Sequence, residues 1–144
     1  MRNRQITSAK LLLVNEKDQA LMLRIGIYLR HPEKSHTPDL PGGIVNPRES
    51  ELDAVQRELK EEAGIIIDSR VITLGYAKTI FFEKTNKSLN RLLYVARIDH
   101  TPDVKISCEH ETYAWTSLET FADTHTMRPF YDEAIRYVVA HRLV

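Results

Sequence analysis

The sequence predicts an α/β fold, in which helices are layered on a mixed β-sheet. Four apolar segments have the β-branched and aromatic content that is typical of strands: residues 6–14, 19–24, 71–83 and 89–98. A charged segment with helical spacing lies between the first two strands and the last two, and a second helical pattern closes the chain. Strands around one central helix, followed by another helix, indicate a layered α/β domain.

Turn signals separate the first two strands from each other and from the helix. The polar residues NEKD join residues 6–14 to residues 19–24, which predicts a turn between them. Residues 25–43 contain three prolines, at positions 32, 38 and 41. Because proline lacks an N–H group and fixes φ, we expect this segment to be a loop without long regular structure.

The central helix is expected to begin near Ser50 and to end near Gly64. Ser50 and Asp53 resemble a capping box, with aspartate in place of the usual glutamate or glutamine. Glycine commonly follows the last residue of a helix. At about 100° per residue, the apolar residues share one stripe, which is the expected core face: Leu52, Val55, Leu59 and Ala63.

The second half of the chain predicts a hairpin, a short strand and a terminal helix. Residues 84–88, KTNKS, predict the turn between the two later strands. Residues 113–121 have the pattern of a short strand that runs into a helical turn. Residues 129–144 place apolar residues at helical spacing after Pro129, and proline suits the first turn of a helix.

Length and composition disfavour several classes of protein. A chain of 144 residues predicts one domain, over residues 1–144. Twenty acidic residues balance twenty basic ones, so charge does not indicate a nucleic-acid partner. We find neither a signal peptide nor the 18 or more apolar residues of a membrane span. Cys108 is the one cysteine, which predicts a buried or half-buried free thiol, rather than a nucleophile, and a cytoplasmic location.

Three glutamates, Glu58, Glu61 and Glu62, crowd one arc of the central helix beside its core face. Carboxylates three and four residues apart on a helix lie close enough to repel one another. One interpretation is a solvated helix face that points into water. The other is a divalent-cation site, because a cation removes the repulsion and Mg²⁺ prefers oxygen ligands.

The residues around the helix favour the cation site. Residues 43–65, GIVNPRESELDAVQRELKEEAGI, fit the pattern G-x5-E-x7-R-E-U-x-E-E-x-G-U, in which U is an apolar aliphatic residue. This pattern is the Nudix box, and the chain resembles the Nudix (MutT-like) hydrolases. Every specified position matches: Gly43, Glu49, Arg57, Glu58, Leu59, Glu61, Glu62, Gly64 and Ile65.

The resemblance implies an α/β/α sandwich with a mixed sheet that hydrolyses a nucleoside diphosphate linked to another moiety. It implies Mg²⁺ as the cofactor, which Mn²⁺ can replace. The implied metal ligands are three side chains and one backbone carbonyl: Glu58, Glu61, Glu62 and Gly43. The resemblance also implies that Arg57 orients the glutamates and that Glu49 braces the loop before the helix.

Other residues are candidates for contacts outside this motif. Residues 108–115, CEHETYAW, resemble a stretch of several family members that supplies a metal ligand or general base. That resemblance favours Glu109, with Glu111 as the alternative. We expect His110 to be a loop residue rather than a ligand, because Mg²⁺ favours oxygen.

Substrate contacts are expected around the loop that leads into the helix. Gly42 and Gly43 would let the backbone approach a phosphate closely. Arg24, which closes the second strand, is the cation that we expect to contact the substrate. The other cationic candidates of this region are Arg30, His31, Lys34 and His36.

The predicted substrate is a nucleoside triphosphate, including oxidised or otherwise non-standard ones, cleaved between the α and β phosphorus atoms. The chain is shorter than nucleotide-sugar hydrolases that carry an extra segment, and Ile80 stands where ADP-ribose hydrolases usually have proline. The alternatives are a dinucleoside polyphosphate or a nucleotide sugar, and then an RNA 5′ end or a nucleotide-binding module without turnover. The sequence leaves both a monomer and a homodimer as alternatives for the oligomeric state.

Overall fold

The structure is a computed structural model that describes residues 2–123 and 127–144. Its strands are β1 (Arg4–Val14), β2 (Gln19–Ile25), β3 (Pro38–Asp39), β4 (Gly42–Ile44), β5 (Ile72–Phe82), β6 (Lys87–Arg97) and β7 (His110–Ser117). Its helices are α1 (Glu51–Ala63), α2 (Leu118–Asp123) and α3 (Pro129–Ala140). None of the helices within the described ranges is long and apolar enough to cross a membrane.

The strands form one mixed sheet with a fork in it. The order is β3-β2-β1-β6-β5, while β4 pairs with β1 and β7 pairs with β2. β1 is parallel to β6 over its whole length, and the other pairs are antiparallel. The end of β1 pairs with β2 at Val14, whereas its middle, Ser8 to Lys10, pairs with β4. β1 and β2 therefore diverge, and the functional site lies at this fork.

The two faces of the sheet are covered by different helices. Leu11 and Leu13 of β1 lie in a buried cluster with the apolar stripe of α1. Leu12 and Val14 point to the other face and lie in a second buried cluster with α3. This alternation along one strand follows from the two-residue period of side chains in a sheet. The α/β/α sandwich with a mixed sheet is confirmed.

The ends of α1 agree with the helix signals in the sequence. The Ser50 hydroxyl accepts a hydrogen bond from the Asp53 N–H at 3.1 Å, so the N-terminal cap is formed. Gly64 adopts the left-handed conformation with φ +69°, and its N–H donates to the Lys60 carbonyl. Because these signals act within a few residues of each helix end, the sequence predicts both ends well.

Two features differ from the expectations. The predicted loop, residues 25–43, contains β3 and β4, because Pro38 and Asp39 pair with β2 and the glycines that follow pair with β1. Both strands are short, and proline is tolerated at a sheet edge. The Cys108 thiol is exposed rather than half-buried, because the segment before β7 runs along the surface at this position.

Candidate active site

A cavity of about 730 Å³ opens at the fork between β1 and β2. Its walls come from β1, β4, β6 and α1, from the loop after β2, and from the residues that begin β7 and α3. This volume is in the range of small-ligand sites. The charged side chains in the walls are Lys10, Lys34, Asp39, Glu58, Glu61, Glu62, Arg91, Glu109 and Arg128.

One arginine holds the carboxylates of α1 in place. Arg57 Nη1 donates to Glu58 at 3.0 Å and to Glu61 at 3.3 Å. Its Nε and Nη2 donate to the two oxygens of Glu49, at 2.7 and 2.9 Å. The Arg57 hydrogen bonds, with a further one from the Asn46 N–H, lower the pKa of Glu49 to about 2. One rigid guanidinium therefore ties the loop before α1 to the carboxylates.

Two adjacent glycines bring the backbone against these carboxylates. The Gly42 N–H donates to Glu62 Oε1 at 3.1 Å. Gly42 has φ +133°, and a Cβ there would lie 2.2 Å from the carbonyl oxygen of Ala9, so a side chain is excluded. A Cβ on Gly43 would lie 2.9 Å from Glu58 Oε1. Glycine at position 42 therefore permits the close approach to β1, and glycine at position 43 leaves the space that the Glu58 carboxylate occupies.

Glu62 differs from the other two glutamates of α1 because it is buried, with 4% of its side chain exposed, against 58% for Glu61. Burial is the main cause that raises the pKa of Glu62 to about 9, with smaller contributions from a hydrogen bond with Glu58 and from the charge of Asp39. Lys10 and the Gly42 N–H oppose this shift. A pKa raised in this direction favours the protonated form of Glu62 at neutral pH in the cation-free protein, with its hydrogen bond directed to Glu58.

A buried hydrogen-bonded network lies beneath Glu62. Asp39 accepts from Lys10 Nζ at 2.9 Å and from Arg128 Nη2 at 3.2 Å, and His110 Nε2 lies 3.2 Å from its other oxygen. His110 Nε2 is also 3.4 Å from Glu62. Burial alone would raise the pKa of Asp39, but Lys10, His110 and Arg128 lower it to about 2. His110, expected to be a loop residue, is instead buried at the start of β7.

Asp39, Glu62 and His110 could together offer three ligand atoms within 4.8 Å of one another. Lys10 and Arg128 already contact the Asp39 carboxylate, so two positive charges lie where a metal ion would bind. We therefore interpret this cluster as an ion-pair network.

The carboxylates nearer the opening fit a divalent cation better. The chemistry of this donor set is suitable, because Glu58, Glu61 and Glu62 offer the oxygen ligands that Mg²⁺ prefers.

The remaining predicted residues divide between the cavity and the loop. Glu109 is exposed in the cavity wall. Glu111, two residues later, instead lies 2.9 Å from His36 Nδ1. Arg24 Nη1 donates to the His36 carbonyl at 2.6 Å. The structure does not bring Arg24 to the cavity, where Lys34 is the loop cation among the described lining residues.

Two arginines in the cavity wall were missed by the sequence analysis. Arg91 lies in the middle of β6, and Arg128 is the residue before α3. The alternation along residues 89–98 could have placed Arg91 on the same sheet face as its buried neighbours Leu93 and Val95. Arg128 carries no comparable local signal.

Comparison with known proteins shows both family and fold. The chain is 35% identical over 89 residues to the asymmetrical bis(5′-nucleosyl)-tetraphosphatase of Caenorhabditis elegans, covering 62% of this chain and 63% of that protein. It is 34% identical over 80 residues to the Sus scrofa protein of the same name, covering 55% and 54%. The match thus spans somewhat more than half the length of these relatives.

Solved structures match over nearly the whole chain. The MutT protein from Methanosarcina mazei Go1 has a TM-score of 0.75 and 30% identity, and the match covers 99% of this chain and 98% of that one. The C. elegans Ap4A hydrolase binary complex has a TM-score of 0.65 and 26% identity, covering 94% and 98%. The family model described as the NUDIX domain matches residues 4–138, and the chain therefore belongs to the NUDIX domain family.

Proposed function

We propose that this protein hydrolyses a pyrophosphate bond of a nucleotide, with a divalent cation held by Glu58, Glu61 and Glu62. The observation that carries this proposal is the grouping of three carboxylates on α1 at a 730 Å³ cavity. Gly43 packs against the Glu58 carboxylate without a side chain between them, and we assign its backbone carbonyl as a further oxygen ligand.

Each part of the site has a task in this reaction. A bound divalent cation, Mg²⁺ or Mn²⁺, supplies neutralisation of the charge on the phosphoryl oxygens. Arg57 keeps Glu58 and Glu61 in position and, through Glu49, fixes the loop that carries the glycines. Glu109 enters the same cavity from the start of β7, and we assign it the removal of a proton from the attacking water.

The favoured substrate is a dinucleoside polyphosphate. Two of the relatives above are named asymmetrical bis(5′-nucleosyl)-tetraphosphatases, and one similar structure is an Ap4A hydrolase. The nucleoside triphosphate predicted from the sequence remains the second candidate, because the similar MutT protein from M. mazei matches over more of the chain. A cytoplasmic location and a homodimer stay predictions.

Turnover assays can test the reaction and rank the substrates. We would measure kcat/KM at saturating Mg²⁺ for a dinucleoside tetraphosphate, nucleoside triphosphates and nucleotide sugars. Hydrolysis in ¹⁸O-labelled water would identify the phosphorus that is attacked. We expect the dinucleoside tetraphosphate to exceed the best triphosphate by more than about tenfold, or roughly 1.4 kcal/mol in transition-state binding. The opposite ranking would restore the triphosphate assignment.

A pair of α1 variants tests the cation site. Glu58→Gln should remove most of the turnover, as should a chelator. Glu51→Gln is the matched control, because Glu51 is an exposed glutamate in the first turn of the same helix. Turnover that survives both the chelator and Glu58→Gln would contradict the proposed function.

A further inference from the structure

Arg91 lies on the sheet face that forms the floor of the cavity. Ser8 of β1 pairs with Ile44 of β4 on one side and with Arg91 of β6 on the other. Paired residues point to the same face, and all three line the cavity. Two interstrand spacings, about 10 Å, therefore separate the Arg91 backbone from β4. The Glu58 carboxylate lies against β4 at Gly43.

The Arg91 guanidinium has no negative partner among the described residues. It is half-buried, and its cross-strand neighbours are Ser8 and the cationic Lys78. The guanidinium stacks on an aromatic ring, with Cζ 5.7 Å from the centroid of Phe130. A half-buried guanidinium that lines a cavity has donors available to an anion, and its planar fork suits phosphate.

Arg128 lines the same cavity and stacks on Tyr131, whose ring centroid lies 5.0 Å from that of Phe130. The Arg128 Cζ lies 5.2 Å from the centroid of the Tyr131 ring, and Nη2 donates to Asp39 at 3.2 Å. Nε is buried and has no hydrogen-bond partner. Stacking on the first turn of α3 holds both guanidinium groups without using all their donors, so each can bind another anion.

The two arginines stand at different distances from the α1 carboxylates. Arg91 lies on β6, two strands away from β4, whereas Arg128 reaches Asp39 in the network beneath Glu62. Lys10, which also lines the cavity, is already bound by Asp39 and the Leu40 carbonyl. A ligand that matches this arrangement carries a cation at one end and further negative charge at the other, as a chain of phosphates does.

We infer that Arg91 and Arg128 form an arginine clamp for the phosphates that lie beyond the one attacked. The clamp selects nucleotides with at least three consecutive phosphates over compounds linked through a diphosphate. This inference rests on the proposed function, because it takes the α1 carboxylates as the cation site. In this inference, two residues outside the Nudix box select the number of consecutive phosphates in the substrate.

Binding of non-hydrolysable analogues tests the clamp without requiring turnover. The probes are α,β-methylene-ADP and α,β-methylene-ATP, which differ by the terminal phosphate. Isothermal titration calorimetry at saturating Mg²⁺ would give both Kd values for the wild-type protein and for Arg91→Gln, Arg128→Gln and Arg97→Gln. Arg97 is the control, because it lies on β6 outside the cavity and pairs with Asp18.

The ratio of the two Kd values is the decisive quantity. Wild type and Arg97→Gln should bind the ATP analogue more tightly than the ADP analogue. Arg91→Gln should reduce this preference by at least about tenfold and leave the ADP analogue within about twofold, the larger change corresponding to about 1.4 kcal/mol. Arg91 has no polar partner to lose among the described residues, so this variant should keep the wild-type melting temperature.

Equal weakening of both analogues, or no change in either, would overturn the clamp. These results are separable from failure of the proposed function. A protein that hydrolyses none of the tested nucleotides but shows the expected Kd ratios would keep the clamp and lose the reaction. Turnover with an unchanged ratio in Arg91→Gln would keep the reaction and lose the clamp.

Discussion

Replacement of Glu62 by glutamine should stabilise the cation-free protein at neutral and alkaline pH. The folded protein holds the Glu62 proton up to a pH of about 9, whereas the unfolded chain loses it near 4.5. Unfolding between these values releases a proton, so the free energy of unfolding falls as the pH rises. The contribution is fully present below about pH 4.5 and is lost as the pH rises towards 9. Glutamine has the same shape and can still accept from the Gly42 N–H, but it has no proton to lose.

The size of the effect follows from the pKa difference. One pH unit within this window corresponds to about 1.4 kcal/mol. From pH 6 to pH 8, the wild-type protein should lose about 3 kcal/mol relative to Glu62→Gln. For a chain of this length, that is roughly 6 to 12 °C in melting temperature.

Thermal unfolding followed by circular dichroism at several pH values, with a chelator present, measures this difference. Glu61→Gln is the control, because Glu61 is the exposed neighbour on the same helix. Its replacement should leave the pH dependence of the melting temperature as in the wild type. Saturating Mg²⁺ should raise the wild-type melting temperature more at pH 8 than at pH 6, because the cation displaces the proton. If the melting temperature of Glu62→Gln falls with pH as steeply as that of the wild type in the presence of chelator, Glu62 is ionised in the cation-free protein. Our account of its burial would then be wrong.

Three further predictions concern other parts of the site. Gly42→Ala should lower the free energy of unfolding, measured by chemical denaturation, by at least about 2 kcal/mol, because the new Cβ would lie 2.2 Å from the β1 backbone. An unchanged denaturation midpoint would contradict this close approach. Glu109→Gln should lower kcat about 10²-fold or more and Glu111→Gln much less, and the reverse order would transfer the base to Glu111. Arg57→Lys should lower kcat/KM about tenfold or more, since lysine cannot hold Glu49 through two bonds; wild-type kinetics would remove its positioning role.

The sequence by itself determined the elements and the chemistry of α1. Ser50 and Gly64 mark the helix ends because capping depends on a few neighbouring residues. Apolar periodicity located the long strands for the same reason. The spacing of the carboxylates along α1 is also local, so the divalent-cation hypothesis could be made from the residues alone.

Only the tertiary structure distinguished Glu62 from Glu61. The two are adjacent in the chain and have the same side chain, yet one is buried and the other exposed. The difference arises because β4 packs against one side of α1 and places the Gly42 N–H on Glu62. Helical periodicity gives the arc on which a residue lies, but the neighbouring strand decides whether that arc meets water.

The partners of the site also come from distant positions. Strand pairing brings Lys10, Asp39 and His110 together, although 29 and 71 residues separate Asp39 from the other two. Arg91 becomes a wall of the cavity because β6 lies parallel to β1, which places it beside Ser8. Such contacts depend on register across the sheet, and a pattern within one strand carries no information about which strand will lie beside it.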